Sequence, residues 1–162
     1  MMSKFFSRFI VFSALLASSS LTFANDLSVF PNGKTASLNE WKTPIRIVNI
    51  WATWCKPCRK EMPEMSAWYQ KQNKKQVELI GIAIDREENI SKFLKESPVR
   101  YPIWRYTGKD SRAFLNALGN KIGAYPYTLV EKRGCSFKHT ITGEVNGKKL
   151  DEAVQLVQKQ CK

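Results

Sequence analysis

Two runs of apolar, largely β-branched residues stand out along the chain: Ile45-Arg46-Ile47-Val48-Asn49-Ile50-Trp51 and Val77-Glu78-Leu79-Ile80-Gly81-Ile82-Ala83-Ile84. Their near-continuous apolar character predicts strands buried on both faces. Between them the period changes. Met62, Met65, Trp68 and Tyr69 recur at three- and four-residue steps, which predicts a helix over 58–72. Pro63 falls inside that segment and is expected to kink the helix or to mark a shifted start. Further on, 87–97 reads as a helix closed by Pro98, 101–106 as a short strand, and 110–118 as a helix ended by Gly119. Two strands, 127–130 and 136–141, flank the turn Lys132-Arg133-Gly134. A last helix over 148–160 puts Leu150, Val154 and Val157 on one stripe. Upstream, Pro31-Asn32-Gly33-Lys34 is a turn signal, so 26–42 reads as a small hairpin or extended lead-in. Strands alternating with helices and closed by a hairpin indicate an α/β sheet covered on both faces. The 162 residues fit one domain. A core of this size needs no disulfide to fold.

The N-terminus follows another pattern. Met1-Met2-Ser3-Lys4-Phe5-Phe6-Ser7-Arg8 is basic, Phe9 to Leu16 is apolar, and Thr22-Phe23-Ala24 sets small residues at both positions required for a cut after Ala24. This is the layout of a secretory signal peptide, 1–24, with a domain over 25–162. The apolar run is short for a membrane span, and an uncleaved N-terminal anchor is the alternative. Export places the domain in the periplasm, where disulfides persist.

Charge adds little to the fold but narrows the partners. Lysine and arginine number 26 against 14 acidic residues, a formal charge of +12. Loss of Lys4 and Arg8 with the leader would leave about +10. Such a surface favours acidic partners or anionic lipid headgroups, or is simply that of a basic exported protein. Nucleic acid is a poor partner, because the lysines are dispersed and an exported chain rarely meets it. A monomer is expected.

Candidate chemistry lies in the four cysteines, Cys55, Cys58, Cys135 and Cys161. Cys55 and Cys58 are separated by two residues where a buried strand gives way to a helix. Unpaired amides and the positive end of the helix dipole lower a thiol pKa there, and Lys56, Arg59 and Lys60 act in the same direction. The first cysteine of such a pair is the exposed one and attacks a substrate disulfide as a thiolate; the second resolves the mixed disulfide. Pro57, with no amide hydrogen and a fixed φ, suits the first helical turn. A zinc site would need two more ligands, and only His139 and two distant cysteines are available. A purely structural disulfide in so tight a loop would constrain the unfolded chain little. A redox pair is the preferred reading, with no metal and no cofactor. His139 is given no role. Trp51 and Trp68 read as packing, while Trp54 beside the thiols is a candidate substrate contact.

The stretch Val48-Asn49-Ile50-Trp51-Ala52-Thr53-Trp54-Cys55-Lys56-Pro57-Cys58-Arg59-Lys60-Glu61-Met62-Pro63-Glu64 resembles the active-site region of TlpA/ResA-type thioredoxin-like proteins, the exported disulfide reductases of bacteria. Gly123-Ala124-Tyr125-Pro126-Tyr127-Thr128 resembles that family's second signature, and 134–143 its closing hairpin. The resemblance implies a thioredoxin-like fold with an N-terminal hairpin lead-in and a central family insertion. It implies Cys55 as nucleophile, Cys58 as resolving thiol and Pro126 as a cis-proline facing the pair. A cis bond there would turn the preceding backbone outward, toward an extended substrate. Glu61, one helical turn beyond Cys58, is implied as a carboxylate that tunes proton transfer; the alternative is a solvated helix glutamate. Lys56, Pro57 and Tyr125 join Trp54 as expected substrate contacts, Tyr125 being bulkier than the residue often found there.

Cys135 and Cys161 lie outside the family signature. They fall on elements that neighbour each other in such a fold, so a structural disulfide is expected by compartment and even count. Free thiols or a second redox pair are the alternatives. The implied activity is reduction of disulfides in exported proteins, such as apocytochromes or copper-site proteins, recharged by a membrane thiol-reductant. The same residues would serve a disulfide-donating oxidase, and only the reduction potential separates the two. A metal chaperone or partner-binding module on this fold is a third possibility. The two-residue gap disfavours it, since exported copper chaperones of this kind use three residues and a later histidine. A peroxidase with a lone reactive cysteine fits the paired arrangement poorly.

Overall fold

The computed structural model describes residues 26–162. The proposed leader, 1–24, lies outside them. Seven strands form one sheet: β1 (Leu27–Val29), β2 (Thr35–Ala36), β3 (Ile45–Trp51), β4 (Val77–Ala83), β5 (Ile103–Tyr106), β6 (Tyr127–Lys132) and β7 (Lys138–Thr142). Four helices connect or follow them: α1 (Lys56–Gln70), α2 (Glu87–Glu96), α3 (Ser111–Ala117) and α4 (Gly147–Gln160). The strand order is β2-β1-β5-β4-β3-β6-β7. β3, β4 and β5 run parallel, joined through α1 and α2, while β6 and β7 return antiparallel beside β3.

β3 lies between β4 and β6, and all seven of its residues are buried. Alternation along it divides the core. Ile45, Ile47 and Trp51 pack with Met62, Met65, Ile90, Phe93, Leu150 and Val157 from α1, α2 and α4. Val48 and Ile50 pack the opposite way, with Phe114 and Leu115 of α3 and with Leu27 and Ala36. Each large aliphatic side chain buried in this way contributes about 1.5–3 kcal/mol, so the β3 face pattern alone orients the sheet firmly.

The buried strands also carry polar residues. Arg46 is 4 % exposed and pairs with Glu131 through its Nε at 3.0 Å, with Trp41 stacked on the guanidinium at 3.7 Å. Asn49 and Thr128 are wholly buried and face each other across β3 and β6. The helix α1 runs through Pro63 as one element of 15 residues and begins at Lys56, two residues before the sequence pattern places it. Cys55 is its N-cap, with its sulfur accepting the Cys58 N–H at 3.2 Å, so a shifted start at Pro63 does not occur. On α4 the buried positions are Leu150, Ala153 and Val157; Val154 is only half-buried. Among the described residues no helix is long and apolar enough to cross a membrane.

Candidate active site

Cys55 and Cys58 form a disulfide with their Cα atoms 5.3 Å apart, at the corner where β3 ends and α1 begins. The Cys55 N–H bonds the Ala52 carbonyl at 3.1 Å, closing a tight turn before the helix. Thr53 fixes the outer side of that turn. Its N–H donates to Asp85 at 3.1 Å and its hydroxyl to the same oxygen. Burial pushes the Asp85 carboxyl up, but hydrogen bonds from Thr53, Asn89 and Arg86 outweigh it and hold the group below the usual carboxylate range. The pair is nearly flush with the protein. Cys55 is 4 % exposed and Cys58 is fully buried, so the first cysteine is less open than the pattern of such pairs predicts. Lys56 beside it is exposed and Pro57 is half-buried.

The Tyr125–Pro126 peptide bond is cis. Its loop is clamped by Asn120, which is 1 % exposed: the Asn120 side chain donates to the Ala124 carbonyl at 2.8 Å and accepts the Ala124 N–H at 2.9 Å. The Pro126 carbonyl accepts from Gly143 at 2.9 Å. Among the described residues the Tyr125 main chain makes no backbone hydrogen bond. Its ring meets Trp54 edge-on at 5.1 Å, and Trp54 is 66 % exposed. The loop that carries Pro126 is thereby joined to the turn that carries the cysteines.

One helical turn after Cys58, Glu61 is 2 % exposed. Asn49 donates to one carboxylate oxygen at 2.8 Å and the Val145 N–H to the other at 2.7 Å. Asn49 also donates to Thr128 at 3.1 Å. Desolvation pushes the Glu61 carboxyl up to about 7, against these two donors; Glu144 adds to the rise and Lys149 opposes it. A carboxyl poised near neutrality can both take and give a proton at physiological pH. A cleft of about 260 Å³ lined by Lys60, Glu61, Glu64, Glu144, Val145 and Lys149 reaches this group from the surface. Glu61 is therefore not a solvated helix residue.

Asn49, Thr128, Val145 and Asn120 carry this geometry, and none of them is singled out by the sequence pattern. The one available signal was an asparagine inside an otherwise apolar strand, since a buried amide needs partners. Cys135 and Cys161 form a second disulfide, Cα atoms 5.8 Å apart, between the β6–β7 turn and the end of α4. His139 lies on β7, paired with Val130 of β6.

A family model described as the AhpC/TSA family matches residues 22–133. The chain belongs to that family. Its fold is thioredoxin-like. A solved structure, the thioredoxin-related protein from Neisseria meningitidis serogroup B, is 53 % identical and superposes with a TM-score of 0.79 over 82 % of this chain and 98 % of the other. Among curated relatives, thiol-disulfide oxidoreductase ResA of Bacillus cereus is 39 % identical over 72 residues, 44 % of this chain. That match spans 42 % of the ResA length, about two fifths. The ResA of Geobacillus thermodenitrificans is 29 % identical over 127 residues, 77 % of this chain and 70 % of its own.

Proposed function

We propose that this AhpC/TSA-family protein is an exported thiol:disulfide oxidoreductase that reduces disulfides in periplasmic proteins through Cys55 and Cys58. The observation that carries the reading is the Cys55–Cys58 disulfide at the start of α1 with a buried carboxyl one turn behind it. The ResA name of the relatives supports the chemistry.

In the reduced enzyme, the Cys55 thiolate attacks one sulfur of a substrate disulfide. A Cys55–substrate disulfide forms and one substrate thiolate leaves. Cys58 then passes its proton toward Glu61 and attacks the Cys55 sulfur. The Cys55–Cys58 disulfide forms, the second substrate sulfur leaves, and two electrons have moved to the substrate. Glu61 suits this step because its acidity matches neutral pH and its cleft leads to solvent. The helix N-terminus stabilises the thiolate on Cys55.

Substrate binds across Trp54, Lys56, Pro57 and Tyr125, with cis-Pro126 opposite the pair. The main chain of Tyr125, unengaged by backbone among the described residues, is placed to pair with an extended segment. Cys135–Cys161 serves as a structural tie. A signal peptide over 1–24 would deliver the domain to the periplasm, where a membrane dithiol must return Cys55 and Cys58 to the reduced state. The protein is expected to catalyse insulin reduction by dithiothreitol. Cys55→Ser should abolish that catalysis, and an active Cys55→Ser enzyme would sink the reading.

A further inference from the structure

A second feature flanks the disulfide on the side away from Tyr125. A groove of about 250 Å³ lies between the first turn of α1 and one face of α2, lined by Thr53, Arg59, Asn89, Lys92, Phe93 and Glu96. Asn89, Phe93 and Glu96 recur at helical spacing, so the groove follows the α2 axis. It begins at Thr53, two residues before Cys55, and Phe93, packed on Trp51 at 5.5 Å, belongs to the core beneath it.

The groove carries two cations beside the reactive corner. The Arg59 guanidinium lies over the Phe93 ring at 5.5 Å, and among the described residues neither Arg59 nor Lys92 has an ion-pair partner. In this they are like most lysines and arginines among the described residues; what sets them apart is their place in one groove next to Cys55. Of the nearby acids, Asp85 is occupied. It accepts from the Thr53 N–H and hydroxyl, from the Arg86 N–H at 2.7 Å and from Asn89 at 2.8 Å. Glu96 closes the far end of the groove, four residues beyond Lys92. Along α2 from the disulfide end, the lining runs from Asn89 to Lys92 and Phe93, with Arg59 over the Phe93 ring, and then to Glu96.

We propose that this groove binds an acidic stretch of the substrate chain next to its disulfide, so that the enzyme prefers cystines flanked by Asp or Glu. This rests on the thiol–disulfide exchange reading above and names the substrate class of that site. A carboxylate seated between Arg59 and Lys92 gains two charge-assisted contacts, and the apolar floor lowers the screening around them. Trp54 and Tyr125 hold the segment on the other side of the pair, so one extended chain spans both flanks.

The test uses three disulfide-bridged peptides that differ only in having neutral, Glu or Lys residues beside the cystine. Their kcat/KM values are measured with the full-length enzyme. The Glu peptide should be the best substrate at low salt, and the preference should fade as salt screens it. Lys92→Glu should lower the Glu-to-neutral ratio about fivefold, close to the worth of one exposed ion pair. Lys92→Gln should move it part of the way. Lys159→Glu, with the same change in net charge at the end of α4, should leave the ratio where it is. Equal shifts in Lys92→Glu and Lys159→Glu, or no preference in the wild type, would overturn the proposal. So would loss of binding to phosphatidylglycerol vesicles in Lys92→Glu with the peptide ratio intact, which would assign the groove to a lipid surface. Failure of the wild type on all three peptides would instead reject the exchange reading beneath it.

Discussion

The Val145 N–H donates to Glu61 at 2.7 Å, a bond across 84 positions of sequence that ties α1 to the loop between β7 and α4. It holds the buried carboxyl in place while desolvation keeps its acidity close to neutral. The ordinary glutamate value is 4.5 and the folded value about 7, so the folded protein binds the extra proton between those limits. Stability is then greatest below the lower value and falls as pH rises through about 7. In urea titrations of the oxidised protein, the wild type should lose on the order of 2 kcal/mol relative to Glu61→Gln between mildly acidic and mildly alkaline pH. A Glu61→Gln protein with the same pH dependence as the wild type would show that Glu61 is not the titrating group.

On the proposed mechanism, Cys58→Ala leaves the Cys55 thiolate able to attack but unable to finish. It should accumulate mixed disulfides through Cys55, resolved by dithiothreitol on non-reducing gels and identifiable by mass spectrometry. Captured partners should be exported proteins bearing cystines. A variant that accumulates none, while still reacting with iodoacetamide at Cys55, would remove Cys58 from the resolving role.

Trp54 is 66 % exposed and touches Tyr125 edge-on, so it contributes little to the core. Trp54→Ala should change unfolding stability by less than about 0.5 kcal/mol, as surface substitutions do. Its kcat/KM on protein disulfides should nonetheless drop about fivefold, the scale of a single aromatic interaction. An equal drop on a small disulfide with no flanking chain would argue that Trp54 acts on the thiols and not on the substrate segment.

Replacing Cys135 and Cys161 together by Ser opens a loop with a sequence separation of 26. Chain entropy puts the loss of stability at roughly 3 kcal/mol, visible as a lower melting temperature. Insulin reduction at a temperature where both proteins are folded should stay at the wild-type level. A large loss of activity there would make this pair a second redox centre.

The potential decides direction. Equilibration with glutathione buffers should give a value in the range of reducing thioredoxins, about −270 mV or below, if the enzyme works as a reductase; a value of about −120 mV would make it an oxidase.

Much of this architecture is legible in the chain. The continuous apolar run at 45–51 is β3, the run at 77–84 holds β4 and one residue beyond it, and the spacing of Met62, Met65, Trp68 and Tyr69 is the buried face of α1. The Trp-Cys-Lys-Pro-Cys stretch sets the cysteines at a strand-to-helix corner, because Pro57 and the cap at Cys55 start the helix there. The helix persists through Pro63, against the local rule. Its core-facing side chains outweigh the one missing hydrogen bond at Pro63, the eighth residue of the helix.

Periodicity reports the face on which a residue lies, and nothing about its neighbours across the sheet. That Asn49 sits between Glu61 and Thr128 follows from the pairing of β3 with β6 and from α1 lying above them, contacts 12 and 79 residues apart. The same holds for the Asn120 clamp on the cis-Pro126 loop and for the Cys135–Cys161 pairing. Local chemistry, two thiols at a helix start with cations beside them, was written in the sequence. The acidity of Glu61 and the free cationic groove beside Cys55 were decided only by folding, since both depend on how much water and which distant groups the tertiary packing leaves around them.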